Sequence, residues 1–254
     1  MRNSYKAIEN RRERILNILS TVPSISIQEL SQRLNVSEMT VRRDCSKLSQ
    51  MGRLKQKKGI VSFISPETAS HSNSRERIKR SLGEEAVKSI GNNEIVFVNS
   101  STTALYAIPP LLKKNVSIVT NNGNAAQFLS EHNVASLILS GGNVNKRDIM
   151  SGDIAQRSFS SMRSDWSIIG CAGISVEHGI TTPVIEEANI NRTIIKNSRH
   201  LIVVADYSKF GNFSNFTIGQ VDDIDILITD PFVSAKTLAA FRKKGINIIQ
   251  VTQL

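Results

Sequence analysis

The sequence predicts two unlike parts: a small, mainly helical N-terminal unit ending in a short β-hairpin, and a larger α/β domain with a mostly parallel sheet. Three observations predict it. All the excess positive charge lies in the first third, since residues 1–80 hold 17 Lys and Arg against 7 Asp and Glu and residues 81–254 hold 15 of each. That basic third carries the spacing of two short helices joined by a tight turn. Beyond it, short runs of Val, Ile and Leu recur with helical segments between them, the pattern of a sheet covered on both faces.

The first helix is predicted from Glu9 to Ser20, where Ile15, Ile18 and Leu19 form an apolar stripe and Arg11, Arg12 and Arg14 lie largely off it. Pro23 blocks its continuation. Ser26 and Glu29 then stand at capping-box spacing, which predicts a second helix burying Ile27, Leu30 and Leu34. Asn35-Val36 makes a turn, Ser37 caps a third helix, and Gly52 ends it. In that third helix Val41, Cys45 and Leu48 recur at i, i+4 and i+7, so they face inward, while Met39, Thr40, Arg42, Arg43 and Lys47 project outward. Arginine contacts guanine in bidentate fashion and a threonine methyl meets a thymine methyl, so these groups suit base reading in a major groove. The plainer reading pairs Arg42 with Glu38 at i, i+4 and leaves Arg43 in solvent. The capped turn and the segregated charge favour DNA. After Gly52, alternating apolar and basic residues around Lys58-Gly59 predict a hairpin whose Lys55, Lys57 and Lys58 lie along phosphates. Residues 1–64 are therefore a winged helix-turn-helix.

Residues 65–80 are polar and aperiodic at first and basic from Arg75 to Arg80, and are expected to form a linker whose end is a solvated helix start. The α/β domain, 81–254, is expected to place strands at Ile95–Val98, Val116–Val119, Leu137–Leu139, Ser167–Ile169, Leu201–Ala205, Ile226–Thr229 and Ile246–Val251. Thr103–Leu112, Gly123–Leu129, Glu186–Lys196 and Ser234–Lys244 have helical character. Ligands of open α/β sheets bind beyond the carboxyl ends of strands. Six strand ends here carry polar or glycine clusters. They include Ser100-Ser101-Thr102-Thr103, Asn121, Gly141-Gly142, Gly173 with Thr181-Thr182 downstream, Asp206 with Lys209, and Thr229-Asp230. One such cluster is uninformative, because hydroxyls also serve as plain N-caps; six together predict a pocket.

Other classes fit poorly. Residues 1–14 lack the apolar core of a signal peptide, and no apolar run approaches the roughly 20 residues that span a bilayer. A cytoplasmic protein without a membrane partner is expected. Cys45 and Cys171 have no spaced partner and the four histidines match no ligand spacing, so no metal site, disulfide or cofactor is expected.

Residues 12–63 resemble the N-terminal domain of the DeoR family of bacterial transcriptional regulators. The resemblance rests on Glu29-Leu30, Leu34, Val36-Ser37, Thr40-Val41 and Arg42-Arg43-Asp44. Cys45 stands where the family usually has Leu, and Lys58-Gly59-Ile60 where its wing usually has His-Gly-Gly. The α/β part resembles the family's sensor domain at Ser100, Thr102-Thr103, Thr120-Asn121, Gly141-Gly142, Gly152, Gly170, Gly173, Gly179, Thr181-Thr182, Glu187-Ala188, Asp206, Ser208-Lys209-Phe210 and Thr229-Asp230. The resemblance implies a fold related to sugar-phosphate isomerases and a phosphorylated sugar or related metabolite as effector. It further implies that the 100–103 loop holds a phosphate and that Lys209 reaches into the pocket as a cation. Asn99 and Ser101 replace Asp and Gly of the family loop, and Ala172 replaces an Asp.

The leading expectation is a DNA-binding regulator, a repressor of a carbohydrate or related catabolic operon, acting on double-stranded operator DNA as a homodimer or homotetramer. The competing ones are an isomerase-like enzyme with Glu187 and Lys209 as catalytic candidates, and a regulator whose pocket binds nothing.

Overall fold

The computed structural model describes residues 11–251 other than 13, 16, 17, 20, 21, 23, 51–53, 58, 64 and 65. Glu9, Ser20, Pro23, Gly52 and Lys58, and the side chains of Lys47, Lys55 and Lys57, lie outside the described residues. The chain divides into two compact units, Met1–Asn73 and Ser74–Leu254.

In the first unit the described residues between 11 and 19 are helical, with Ile15 and Leu19 buried. Strand β1 (Ser24–Ser26), helix α1 (Ile27–Leu34) and helix α2 (Glu38–Gln50) follow. Ser26 Oγ accepts from Glu29 N at 3.1 Å, but only this half of the expected capping box forms. The Glu29 carboxylate instead accepts from Arg33 one turn on at 2.7 Å, where the guanidinium offers a charged donor. Asn35 ends α1 in the left-handed conformation at φ 52°. Strands β2 (Leu54–Lys57) and β3 (Ile60–Phe63) form the expected hairpin, and β1, which the sequence did not announce, pairs with β3. The turn places positive φ on Gly59 (80°), while Ile60 lies in β3 opposite Lys57 and Ser26. The isoleucine of this wing therefore sits where a β-branched residue belongs, and the positive φ beside it falls on a glycine.

Helix α3 (Pro66–Ala86) replaces the expected aperiodic linker. Proline opens it at a first helical position, where its missing N–H costs nothing. Only its later half shows an apolar stripe, Ile78, Leu82 and Ala86, all buried; the Ser- and Thr-rich start hid the helix from periodicity.

The second unit continues with β4 (Ile95–Val98), α4 (Ile108–Leu111), β5 (Ser117–Thr120), β6 (Ser136–Leu139), the hairpin β7 (Asn143–Val144) and β8 (Met150–Ser151), and α5 (Asp153–Ser160). Then come β9 (Ser164–Gly170), β10 (Gly173–Ser175), β11 (Gly179–Thr182), α6 (Ile185–Lys196), β12 (Ser198–Val204), β13 (Phe216–Gly219), β14 (Ile226–Thr229), α7 (Ala235–Arg242) and β15 (Asn247–Gln250). All seven expected strands join one parallel sheet in the order β15-β14-β12-β9-β4-β5-β6. Neighbouring residues bury opposite faces: Val96, Val98, Ile118 and Ile168 pack with α3, while Phe97, Val119 and Ile169 pack with α5 and α6. Burial on both sides is why these strands read as continuous apolar runs. A small antiparallel sheet, β10-β11-β13, and the β7-β8 hairpin were not expected; their strands are only two to four residues long, too short to show a period.

From β4 the chain builds outward through β5 and β6, then returns to β9 on the other side of β4 and builds outward to β15. The strand order reverses between β4 and β9. Crevices in such sheets open at that reversal, beyond the carboxyl ends.

Candidate functional site

The helix expected to read DNA is α2. Ser37 Oγ accepts from Thr40 N at 3.3 Å and lies 2.9 Å from Thr40 Oγ1, so the cap also fixes the Thr40 side chain. Met39 is 76% exposed, and Arg42 and Arg43 are exposed beside it. Arg42 lies 3.7 Å from Glu38, a solvent-exposed pair that holds the guanidinium only loosely. On the opposite side Asp44 is only 2% exposed and accepts from Arg11 Nε at 2.5 Å and Arg12 Nε at 3.1 Å. These arginines of the first helix therefore clamp α2 from within its own unit. The signal was present, because Asp44 falls between Val41, Cys45 and Leu48 on the buried face, and a buried carboxylate calls for cations. Burial and the neighbouring Asp44 push the Cys45 thiol up to about 11, which leaves it an inert core group.

A cavity of about 280 Å³ opens where the strand order reverses. Its walls are Asn99, Ser100, Ser101 and Thr102 after β4, Gly170, Cys171 and Ala172 after β9, and Asn122 and Asn124 after β5. Thr182 at the end of β11, Glu187 and Asn191 on α6, Lys209 after β12, and Arg147 in the β7-β8 turn complete the polar lining. That volume sits at the small end of the roughly 300–1,000 Å³ of ligand pockets, which suits a small metabolite rather than a dinucleotide.

Asn99 holds the floor together. Its Nδ2 donates to Gly170 O at 2.9 Å and to Asn191 Oδ1 at 3.0 Å; its Oδ1 accepts from Ser101 N at 3.2 Å and Gly170 N at 3.1 Å. Ser101, at the position where the family has glycine, is accommodated because it faces Gly170, where a Cβ would collide with it. Its Oγ turns inward to accept from Thr103 N at 3.1 Å.

Of the expected pocket residues, Ser100, Ser101, Thr102, Thr182, Glu187 and Lys209 line the cavity. Thr103, Asn121, Gly141, Gly142, Gly173, Thr181 and Asp206 do not. They support it from behind. Asn121 donates to Met150 O at 3.1 Å, and its buried Oδ1 has no partner among the described residues. Thr181 Oγ1 donates to Gly173 O at 3.2 Å, and Asp206 caps the turn carrying Lys209 by accepting from Ser208 N at 2.9 Å. Gly142 has φ 105°, and a Cβ there would strike Ser151 O and crowd Ala155.

Asn99, Asn122, Asn124, Arg147 and Asn191 are polar lining residues outside the expected set. Asn191 is a buried polar residue among Ala188, Ile190 and Ile194 on α6, at i+4 from Glu187; that spacing was readable. Arg147 was not, because only the fold brings its loop to the cavity, where it donates to Glu187 Oε1 at 2.9 Å. Thr182 Oγ1 donates to the other oxygen, Oε2, at 3.2 Å. The Lys209 ammonium takes no hydrogen bond or ion pair among the described residues. Burial pushes the Cys171 thiol up to about 12 against the pull of Lys209, so this cysteine is a neutral wall group.

Two family models match the chain. The DeoR-like helix-turn-helix domain covers residues 11–67 and the DeoR C-terminal sensor domain covers residues 74–231. The glycerol-3-phosphate regulon repressor of Escherichia coli (strain K12) is 30% identical over 87% of this chain and 90% of its own. The transcriptional repressor GlcR of Bacillus subtilis (strain 168) is 28% identical over 96% and 97%. Among solved structures, ribose 5-phosphate isomerase A of Methanocaldococcus jannaschii overlaps 54% of this chain and 55% of its own at 14% identity, with a TM-score of 0.39. With a capped helix pair and hairpin in one unit, a cavity at the strand reversal in the other, and both units matched, the chain belongs to the DeoR family of helix-turn-helix transcriptional regulators.

Proposed function

We propose that the cavity binds a phosphorylated sugar-like metabolite and that its occupancy lowers the affinity of α2 for operator DNA, as in a repressor released by its effector. The observation that carries this reading is that the hydroxyl loop at 100–102 and Lys209, whose ammonium has no hydrogen bond or ion pair among the described residues, line the same cavity. Hydroxyls and a lysine suit phosphate oxygens as point donors. Glu187, Asn122 and Asn191 supply acceptors and amide groups for the hydroxyls of the remainder of the ligand. A relative whose name carries glycerol-3-phosphate supports a phosphorylated polyol or sugar as the class. On the DNA side Ser37, Met39, Thr40, Arg42, Arg43 and Lys47 are assigned to the groove and its edges, and Lys55, Lys57 and Lys58 to phosphates. A homodimer or homotetramer follows from the paired half-sites such readers use.

We infer binding without turnover. Glu187 is the one carboxylate lining the cavity among the described residues, and Arg147 and Thr182 already engage both its oxygens. Those two bonds hold the carboxylate in place as an acceptor for ligand hydroxyls.

The test is thermal shift of the full chain against a panel of sugar monophosphates, followed by operator mobility shift. A ligand at a hundredfold excess over Kd stabilises by about 2.7 kcal/mol, several degrees in Tm. Lys209→Ala is expected to keep operator binding and lose the ligand response. A flat response across the panel overturns the effector reading, and turnover of any member overturns the non-catalytic one.

A further inference from the structure

Lys79 lies on α3, outside every set of residues assigned above. Its Nζ donates to Thr102 Oγ1 at 3.1 Å, on the lip of the cavity. An ammonium has three donors. Among the described residues this hydroxyl is the partner of Lys79, and no carboxylate comes within ion-pair distance. Charged groups nevertheless surround it: Arg75 and Glu76 on its own helix, and Asp206 and Lys209 from the turn after β12. Burial lowers the Lys79 pKa, Asp206 raises it, and Lys209 and Arg75 lower it further. A half-buried ammonium held to one neutral hydroxyl, near a second lysine that also lacks a partner, is an unmet demand for negative charge.

We propose that Lys79 is a further cation of the effector site, giving up Thr102 for the anion when the cavity fills, so that occupancy is registered on helix α3. The proposal rests on the cavity being an anion site. It adds a specific consequence, because α3 runs through residues 66–86, from the end of the first unit into the second. An anion that draws Lys79 off Thr102 and into the cavity acts directly on the covalent connection to the first unit. Arg80, one residue on, stacks over the Tyr106 ring at 5.6 Å, so two successive residues of α3 are tied to the 100–103 loop and the segment just after it. The expectation that residues 75–80 form a solvated helix start does not hold for Lys79, which is half-buried; Arg80 stays exposed.

The experiment titrates inorganic phosphate and ribose 5-phosphate into the full chain at low salt by calorimetry, with Lys79→Gln, Lys79→Arg and Lys209→Ala beside the wild type. Lys79→Gln is expected to weaken both probes by about tenfold, the scale of one charge-assisted hydrogen bond, and to flatten the salt dependence. Lys79→Arg is expected to restore most of the loss, which a role confined to packing against Thr102 would not predict. Hydrogen exchange gives the second readout: either probe should slow the amides of residues 76–83 in the wild type and not in Lys79→Gln. Undiminished binding by Lys79→Gln, with Lys209→Ala impaired, overturns the role of Lys79 and leaves the anion site standing. Absence of binding to the wild type overturns both.

Discussion

The side-chain amide of Asn99 donates to Asn191 Oδ1 at 3.0 Å, joining the end of β4 to the middle of α6 beneath the cavity. With its bonds to Gly170 and Ser101, Asn99 uses both amide hydrogens and both lone pairs of its oxygen. Aspartate, the residue the family usually has here, lacks the donor. Asn99→Asp would set a carboxylate against Gly170 O, and should cost about 1–3 kcal/mol of unfolding free energy. Urea denaturation checks this; undiminished stability would mean that the loop rearranges to reclaim the carboxylate.

Asp44 makes the corresponding prediction for the reading unit. Asp44→Ala removes the acceptor shared by Arg11 and Arg12, whose side chains are 14% and 24% exposed. Because the stranded cations keep some access to water, the loss should be about 3 kcal/mol, the low end for a broken buried pair. Denaturation followed by the near-ultraviolet signal, together with loss of operator affinity, would establish the clamp.

Arg42→Ala and Arg43→Ala should separate binding from stability. Both side chains are exposed, so unfolding free energy should move by less than about 0.5 kcal/mol. Operator affinity should fall by about 1–3 kcal/mol for each arginine that reads a base. Unchanged mobility-shift titrations for the double variant would remove α2 as the reading helix.

Gly142→Ala should destabilise the sensor unit, since positive φ and a collision with Ser151 O act together. A cost of about 1–3 kcal/mol is expected from backbone strain alone. A circular-dichroism melt measures it, and an unshifted Tm would show that the β6 end yields.

Asp230 gives the pH dependence. It is fully buried, and burial raises its carboxyl above the ordinary value even though Tyr207 N and Phe232 N donate to it at 2.7 and 2.8 Å. A folded-state value above the unfolded one means the folded chain holds the proton more tightly. Its stabilising contribution is complete below pH 3.8, the unfolded value, and is lost as pH rises through the raised folded value. The stability difference between wild type and Asp230→Asn should therefore shrink with rising pH across that window in urea titrations. A difference that grows would reverse the assignment.

By itself the sequence determined the charge partition, the capped turn between Leu34 and Glu38, and all seven strands of the parallel sheet. These depend on repeats and caps within a few residues, or on uninterrupted apolar runs that only a doubly covered sheet tolerates. It could not resolve α3, whose Ser- and Thr-rich start carries no stripe, or the short strands β7, β8, β10, β11 and β13. Tertiary structure alone decided which strand ends converge. The strand reversal between β4 and β9 brings Asn99 to Asn191, Arg147 to Glu187 and Lys79 to Thr102, pairs 92, 40 and 23 residues apart. Partners at such separations are set by strand order and register, which no local period encodes. Lys209, at a strand end, was legible as part of the pocket; Arg147 and Lys79 were not, because only the fold brings them to it.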